Sequence, residues 1–372
     1  RAQKHREISL RYNNGQIESL FTGDESGMGV QAFTPEGASG FASGNVLSLE
    51  RAEELAQKAL KFAYLNQGID CERNTNIFTV EPTVADVPSL AKFSFDHFSP
   101  AELQQIVSEI HNRLLTIKIE AGSVAWQTVY RQLEDFWCIG RTDGSLVSFT
   151  VPRAVLLHQG TVRDDGYGQS FSVKRSGVDG EILLAEQADR SLHLQAEDKA
   201  RFIHRVCKAP QIPTGSYPLV IDYGLAKGLA HEAFGHAVES DLLEESVLGL
   251  EGKLRTGMVI SKSGVDIIDG PLERDWAYQP YSANGQIRKT VAIVKDGVLQ
   301  QGLGDIFSAA KAGMEITDAA RVEYFGSVPL PRMTNIRLLV KDNIPLSNTK
   351  NLDQDIKNIR EVRRAQRLCI DC

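Results

Sequence analysis

His231-Glu232-Ala233-Phe234-Gly235-His236-Ala237-Val238-Glu239-Ser240-Asp241 decides how the rest of this 372-residue chain is read. Two histidines and three carboxylates fall within eleven residues, shortly after the apolar run from Pro218 to Asp222. Leu225, Leu229, Phe234, Val238 and Leu242 recur at roughly three- and four-residue steps and predict a helix. A strand feeding a helix that carries His-Glu…His is the arrangement of many zinc hydrolases. There the histidines hold the metal and the Glu activates a water.

The spacing differs from that of the common protease motif. In His-Glu-x-x-His the histidines are four apart, about 40° around a regular helix. Here they are five apart, and a regular helix would splay them by about 140°, too wide for both rings to reach one ion. A π-bulge closes that angle, and such bulges collect at functional sites. Gly235, directly before the second histidine, tolerates the irregular backbone this needs. Metal binding therefore predicts a distorted helix, and a straight one counts against it. The alternative is a pair of ordinary helix histidines, one satisfied and one exposed, because a bare His-Glu-x-x-x-His match arises often by chance.

The flanks narrow the choice. The string HEAFGH at 231–236, followed by Glu239 and Asp241, is similar to the metal-site signature of the TldD/PmbA family, metalloproteases once called modulators of DNA gyrase. Downstream, Pro329-Leu330-Pro331-Arg332-Met333-Thr334-Asn335 resembles that family's PxPRMTN segment. Between them, Asp296-Gly297-Val298-Leu299 sits where the family has a hairpin ending in DGVL. The resemblance runs from the first hairpin to about Asn335, and its specific motifs all lie after Leu219.

What the resemblance implies is a zinc-dependent metallopeptidase of the TldD type that hydrolyses extended or unfolded peptides. It makes His231 and His236 the metal ligands and Glu232 the general base, which takes a proton from water and passes it to the leaving amine. Glu239 and Asp241 become candidates to accept an N–H from a ligating histidine, with solvated helix residues as the alternative. Arg332 and Asn335 either hold a substrate carbonyl or brace the site, and bracing is the preferred reading.

Catalytic zinc usually takes three protein ligands. In the family the third is a cysteine in a glycine-rich segment of the CGKxGQ type, and no such segment follows Asn335 here. Cys369-Ile370-Asp371-Cys372 has CxxC spacing, but its basic surroundings make it an off-family tail rather than a replacement ligand pair. The chain begins with Arg1 rather than Met. The expectation is of a chain truncated at both ends that lacks the third-ligand segment, so that the peptidase activity is assigned to the intact protein and that of this chain is left open. The implied partner is a TldE/PmbA-like subunit or a second copy. Two rivals are a non-catalytic partner subunit, a type that lacks the metal motif in the family, and a gyrase-interacting protein.

Taken in order, the chain reads as α+β: an N-terminal α+β domain over 1–66, a linker over 67–98, a middle domain over 99–212 and a C-terminal β-rich domain over 213–372 bearing the metal helix. Asn14-Gly15 between alternating runs predicts one hairpin, and Thr34-Pro35-Glu36-Gly37 a second. Ala52, Leu55, Ala56, Ala59, Leu60 and Ala63 mark a helix, and Ser99-Pro100-Ala101-Glu102 opens another with a capping box. Strands are predicted at Val124–Tyr130, Phe136–Gly140 and Leu146–Thr150, with Asp143-Gly144 between the last two. Asp164-Asp165-Gly166 reads as a plain turn rather than a cation loop. One helix is predicted from Glu186 to Lys208, its His193, His204 and Cys207 too far apart to share an ion. Further strands are predicted at Leu219–Ile221, Met258–Ile260, Val265–Ile268, Lys289–Val294 and Val298–Leu303.

Composition bounds what remains. With 42% hydrophobic and 24% charged residues and no apolar run long enough to span a bilayer, the chain reads as a globular protein without membrane business. A net charge of −7 argues against a broad nucleic-acid-binding face. Five cysteines are sparse and odd in number, which fits a reducing cytoplasm better than a disulfide framework.

Overall fold

The computed structural model describes residues 1–69, 73, 75–120, 122–217, 223–262 and 264–341. Its largest element is a seven-stranded sheet ordered β3-β2-β1-β5-β6-β4, with β7 also paired to β6. The strands are β1 (Ala2–Asn13), β2 (Gln16–Phe33), β3 (Ser39–Gly44), β4 (Val84–Val87), β5 (Ser123–Gly140), β6 (Leu146–Asp164) and β7 (Tyr167–Gly177). All neighbours are antiparallel except β4, which joins β6 in parallel. The sheet draws on residues from both 1–66 and 99–212, because β1 pairs with β5 along its whole length. Within 67–98, too short and proline-broken to announce a strand, Val84–Val87 is nonetheless recruited to the sheet.

Turn chemistry sets the registers. Asn14 and Gly15 both have positive φ, as do Asp165 and Gly166, which closes two-residue hairpins between β1 and β2 and between β6 and β7. Between the flanking helices and strands, α1 (Leu49–Gln67) is capped by Ser48 and packs Leu55 and Ala59 on β2 and β3. Its capping box starts α2 (Pro100–Leu114) at Ser99 and Glu102 as the sequence predicts. The single helix expected from Glu186 to Lys208 is instead two, α3 (Glu181–Asp189) and α4 (Ser191–Cys207). Arg190 between them is left-handed at φ 51°, and the buried Glu186 carboxylate accepts from the Leu192 and His193 amides to start α4. Periodicity alone runs through such a break because both halves keep their apolar faces toward one core.

Which face of the sheet is buried changes partway along it. In β5, Trp126, Thr128, Tyr130 and Gln132 are buried on the even-numbered face, then Leu133, Asp135, Trp137 and Ile139 on the odd-numbered one. The switch falls at matching register in β6, where Val147, Phe149 and Val151 give way to Ala154, Leu156 and His158. On one face α2, α3 and α4 cover Ile8, Leu10, Trp126, Tyr130 and Leu156. On the other, Trp137, Val147 and Phe149 meet Tyr281 and Val322 of the C-terminal region. One sheet thus serves two cores, and truncating a fully buried side chain such as Leu156 to Ala should cost about 2–5 kcal/mol. The switch also explains why β5 reads as two strands: its alternation slips phase at Leu133.

A polar chain threads the helical core. The Gly15 amide donates to His111 Nε2 at 2.9 Å. His111 therefore carries its proton on Nδ1 and donates to Thr128 Oγ1 at 2.8 Å. That hydroxyl in turn donates to His158 Nδ1 at 3.0 Å. Burial pushes His111 down to about 4 and His158 down to about 3.

The C-terminal region holds short strands: β8 (Gly249–Leu250) with β9 (Lys253–Leu254), β10 (Val265–Asp269), β11 (Val291–Lys295), β12 (Val298–Leu299), β13 (Ala320–Arg321) with β14 (Leu330–Pro331), and β15 (Arg337–Val340). The expected strand at Met258–Ile260 is only an isolated bridge from Val259 to Val298. The run expected over Val298–Leu303 keeps ladder pairing at Val298 and Leu299 alone. The strand expected at Leu219–Ile221, Cys71 and the Cys369/Cys372 pair lie outside the described residues. Among the described residues, no helix is long and apolar enough to cross a membrane.

Candidate active site

Helix α5 (Tyr223–Ala230) does not continue as a regular helix into the histidines. Residues His231–Gly235 form a π-turn, followed by a 3-10 turn at His236–Val238 and extended backbone at Glu239. The His236 amide donates to the His231 carbonyl, an i→i+5 bond that makes the turn five residues long and stacks the two side chains on one face. Their ring centroids are 4.8 Å apart at 86°. Two imidazoles on one tetrahedral zinc, with Zn–N near 2.0–2.1 Å, put their centroids about 5 Å apart. The five-residue spacing is therefore reconciled by the distortion that it predicts.

Gly235 is required there for a steric reason as well. A Cβ on it would lie 1.8 Å from Met333 Sδ, so the turn and the Pro329–Asn335 segment touch backbone to side chain. After the turn the chain is pinned: Leu303 donates to the Val238 carbonyl and Ser240 donates to the Leu303 carbonyl.

Glu239 is fully buried and its Oε2 stands 3.0 Å from His236 Nδ1. Arg332 Nη1 donates to the same oxygen at 3.2 Å, so Oε2 is an acceptor and His236 carries its proton on Nδ1, leaving Nε2 as the free lone pair. Glu239 Oε1 is buried with no hydrogen-bond partner, and burial pushes the carboxyl up against the pull of His236 and Arg332. Asp241 does not approach a histidine and instead accepts from Arg332 Nη1 at 3.0 and 3.1 Å. Asn335 lies away from the histidines and braces a loop, accepting from the Leu272 amide and donating to Asp275. Glu232 is exposed and is not among the residues that line the cleft described next.

His231, His236 and Glu239 form one wall of a cleft of about 870 Å³. The other wall is the odd-numbered face of the sheet, beyond the switch: His5 from β1, Asp135 from β5 and Arg153 from β6. Asp135 is buried and accepts from Gln3 Nε2 at 2.8 Å and Arg153 Nη1 at 2.9 Å, with His5 Nδ1 at 2.8 Å. Burial alone would raise its carboxyl, but those three partners hold it below its ordinary value, and its bond raises His5. Arg153 also donates to the Trp276 carbonyl, tying the walls together.

A layer of buried charges holds the Pro329–Asn335 segment. Arg288 Nη2 donates to the Arg332 carbonyl, Arg321 Nη1 to the Met333 carbonyl, and the Thr334 amide donates to Asp269. Sequence reading misses Arg288, Arg321 and Asp269 along with His5, Asp135 and Arg153, since no motif joins them. The only available signal was a charged pair, Glu134-Asp135, inside an otherwise strand-like run.

Among the described residues, no group of three His, Cys, Asp or Glu is placed to hold a metal ion. The donor chemistry fits two-thirds of a zinc site: two neighbouring imidazoles, one with its tautomer set by a carboxylate.

Comparison with known proteins brings two family descriptions to the chain, the PmbA/TldA metallopeptidase domain 1 at residues 1–63 and the PmbA/TldA metallopeptidase C-terminal domain at residues 214–363. A protein of Methanothermobacter thermautotrophicus named metalloprotease is 30% identical over 366 residues, covering 96% of this chain and 74% of its own length. A metalloprotease TldD homolog of Buchnera aphidicola is 24% identical over 371 residues, covering 96% and 71%. The crystal structure of TldE from Thermococcus kodakarensis shares the fold with a TM-score of 0.69 at 14% identity, covering 93% of this chain and 74% of that one.

Proposed function

The chain belongs to the PmbA/TldD metallopeptidase family, and on that premise we propose that it contributes a zinc-dependent peptidase site in which His231 and His236 hold the metal and Glu232 is the general base. The observation that carries this is the π-turn, which sets the two rings 4.8 Å apart. A third ligand is expected from outside the described residues. When bound, the metal supplies Lewis acidity toward a scissile carbonyl and its attacking water.

The chain's own groups do the rest. Glu239 keeps His236 in the tautomer that presents Nε2, and Arg332 keeps Glu239 an acceptor while spanning to Asp241. Glu232, exposed and adjacent to His231, is free to turn its carboxylate toward the cleft mouth, take a proton from water and deliver it to the leaving amine. A cleft of about 870 Å³ between two walls is of a size to hold a short peptide segment, which supports unfolded or extended peptides as the substrate class. The partner is a TldE/PmbA-like subunit or a second copy, and the site works in the cytoplasm without touching nucleic acid.

Elemental analysis of the purified chain tests this, with His231→Ala as control. About one zinc per chain, lost in the variant, is the expected result, with peptide hydrolysis abolished in Glu232→Gln while zinc is retained. Zinc unchanged in His231→Ala, or hydrolysis unchanged in Glu232→Gln, sinks the assignment. Peptide binding without zinc would make the chain a non-catalytic subunit.

A further inference from the structure

Four guanidinium groups line the cleft: Arg131, Arg153, Arg321 and Arg332. Three have carboxylate partners, Arg131 on Glu7, Arg153 on Asp135, and Arg332 on Glu239 and Asp241. Arg321 has none among the described residues. Its Nη1 donates to the Met333 carbonyl at 2.5 Å, while its Nε is buried with no hydrogen-bond partner.

Arg288 shows that this is not simply how the protein buries a guanidinium. It is more enclosed than Arg321, yet it donates to the carbonyls of Ala319 and Arg332 and stands 3.8 Å from Asp269. It does not line the cleft. Arg321 does, with a buried Nε left without a partner and no ion pair among the described residues, and both are costly for an enclosed cation. Burial and the nearby Arg153 push its guanidinium down, against the pull of Asp269 and Glu239, neither of which pairs with it. The bond to Met333 uses Nη1 and leaves the Nε–Nη2 edge. That is the edge by which Arg131 holds Glu7 in the same cleft, at 2.6 and 2.9 Å.

We propose that Arg321, with Arg153 near it, forms a carboxylate-binding subsite in the cleft, and that the ligand is the C-terminal carboxylate of a short peptide or an acidic side chain within one. This rests on the reading of the cleft as a peptide site and adds a specificity to it. Bidentate pairing through Nε and Nη2 would satisfy the orphaned donor and supply the missing counter-charge together.

The test reads binding rather than turnover. Dansyl-pentaalanine with a free C-terminal carboxylate is titrated into the full chain in the presence of chelator, beside its C-terminal amide and an amide carrying one internal glutamate. The free acid is expected to bind about tenfold or more tightly than the plain amide, as for a hydrogen bond to a charged group. His231→Ala should keep this preference and Arg321→Gln should reduce it to within about twofold. A gain by the glutamate-bearing amide instead identifies the side chain as the source. Equal binding of all three peptides by the wild-type chain overturns the subsite and leaves the peptide cleft standing. No binding of any peptide overturns both. The wild-type comparison alone decides if Arg321→Gln does not fold.

Discussion

The two walls of the cleft are built in opposite ways. The histidine wall is contiguous: His231, His236 and Glu239 lie within nine residues, and one π-turn sets the ring geometry. The sheet wall takes His5, Asp135 and Arg153 from three strands, and only the register β1-β5-β6 brings them together. The first is a local device supported by one distant segment, whereas the second is a consequence of the whole sheet. Damage to the first should therefore alter the site and leave the fold, and damage to the second should be felt as global stability.

The sharpest break is Asp135→Ala. It leaves Arg153, Gln3 and His5 without the carboxylate they share in a buried position. Removing one partner of such a cluster costs about 3–5 kcal/mol. Urea unfolding should show that loss, and a change below about 1 kcal/mol would mean that the sheet wall is not held by charge.

Next in size is an acid effect on the sheet's other face. His111 and His158 are held neutral at about 4 and about 3, below the ordinary imidazole value near 6.5. Below that value the unfolded chain binds protons that the folded chain refuses, so stability falls as pH drops from about 6.5 toward 4. The loss by pH 5.5 should be about 3 kcal/mol in unfolding free energy. His158→Gln should flatten the dependence, and an unchanged slope would place the sensitivity elsewhere.

Gly235→Ala tests the local wall. Its Cβ would overlap Met333 Sδ, a core overpacking that costs about 1–3 kcal/mol, and Met333→Ala in the same chain should recover most of it. Because this clash sits inside the π-turn, the single variant should also weaken zinc retention more than Asp135→Ala does. Equal loss in both variants would erase the distinction between the walls.

This same division governs what could be read in advance. A five-residue His–His spacing plus a glycine, read as a metal motif, calls for a local distortion of the helix, and the π-turn is that distortion. Hairpins at Asn14-Gly15 and Asp296-Gly297 were legible for the same reason, since positive φ is a demand on two residues. By contrast, nothing near His5 says that Asp135 will face it across 130 residues of chain. The face switch at Leu133 even disguises β5 by shifting its alternation, and Arg190 hides a helix break under an unbroken apolar face. Enclosed cations such as the buried Arg288 and the half-buried Arg321 look in sequence like any surface arginine. Their role comes from carbonyls supplied by the Pro329–Asn335 segment, which is recognisable as a motif but silent about what holds it.

The smallest effect separates the walls most cleanly, because its sign is opposite to that of the buried pair. His5 is raised by its bond to Asp135, so its share of stability is fully present below the ordinary imidazole value and is lost as pH rises through the raised one. With a quarter of its side chain exposed, that share should be under about 1 kcal/mol. The stability difference between wild type and His5→Gln should therefore shrink between about pH 6 and 8. His111 and His158 are present in both proteins, so their contribution cancels from that difference. Ring-proton NMR gives the direct reading: a His5 midpoint above about 6.5 that falls back in Asp135→Asn. A His5 that titrates at the ordinary value in both proteins would detach it from Asp135 and reduce the sheet wall to Arg153 alone.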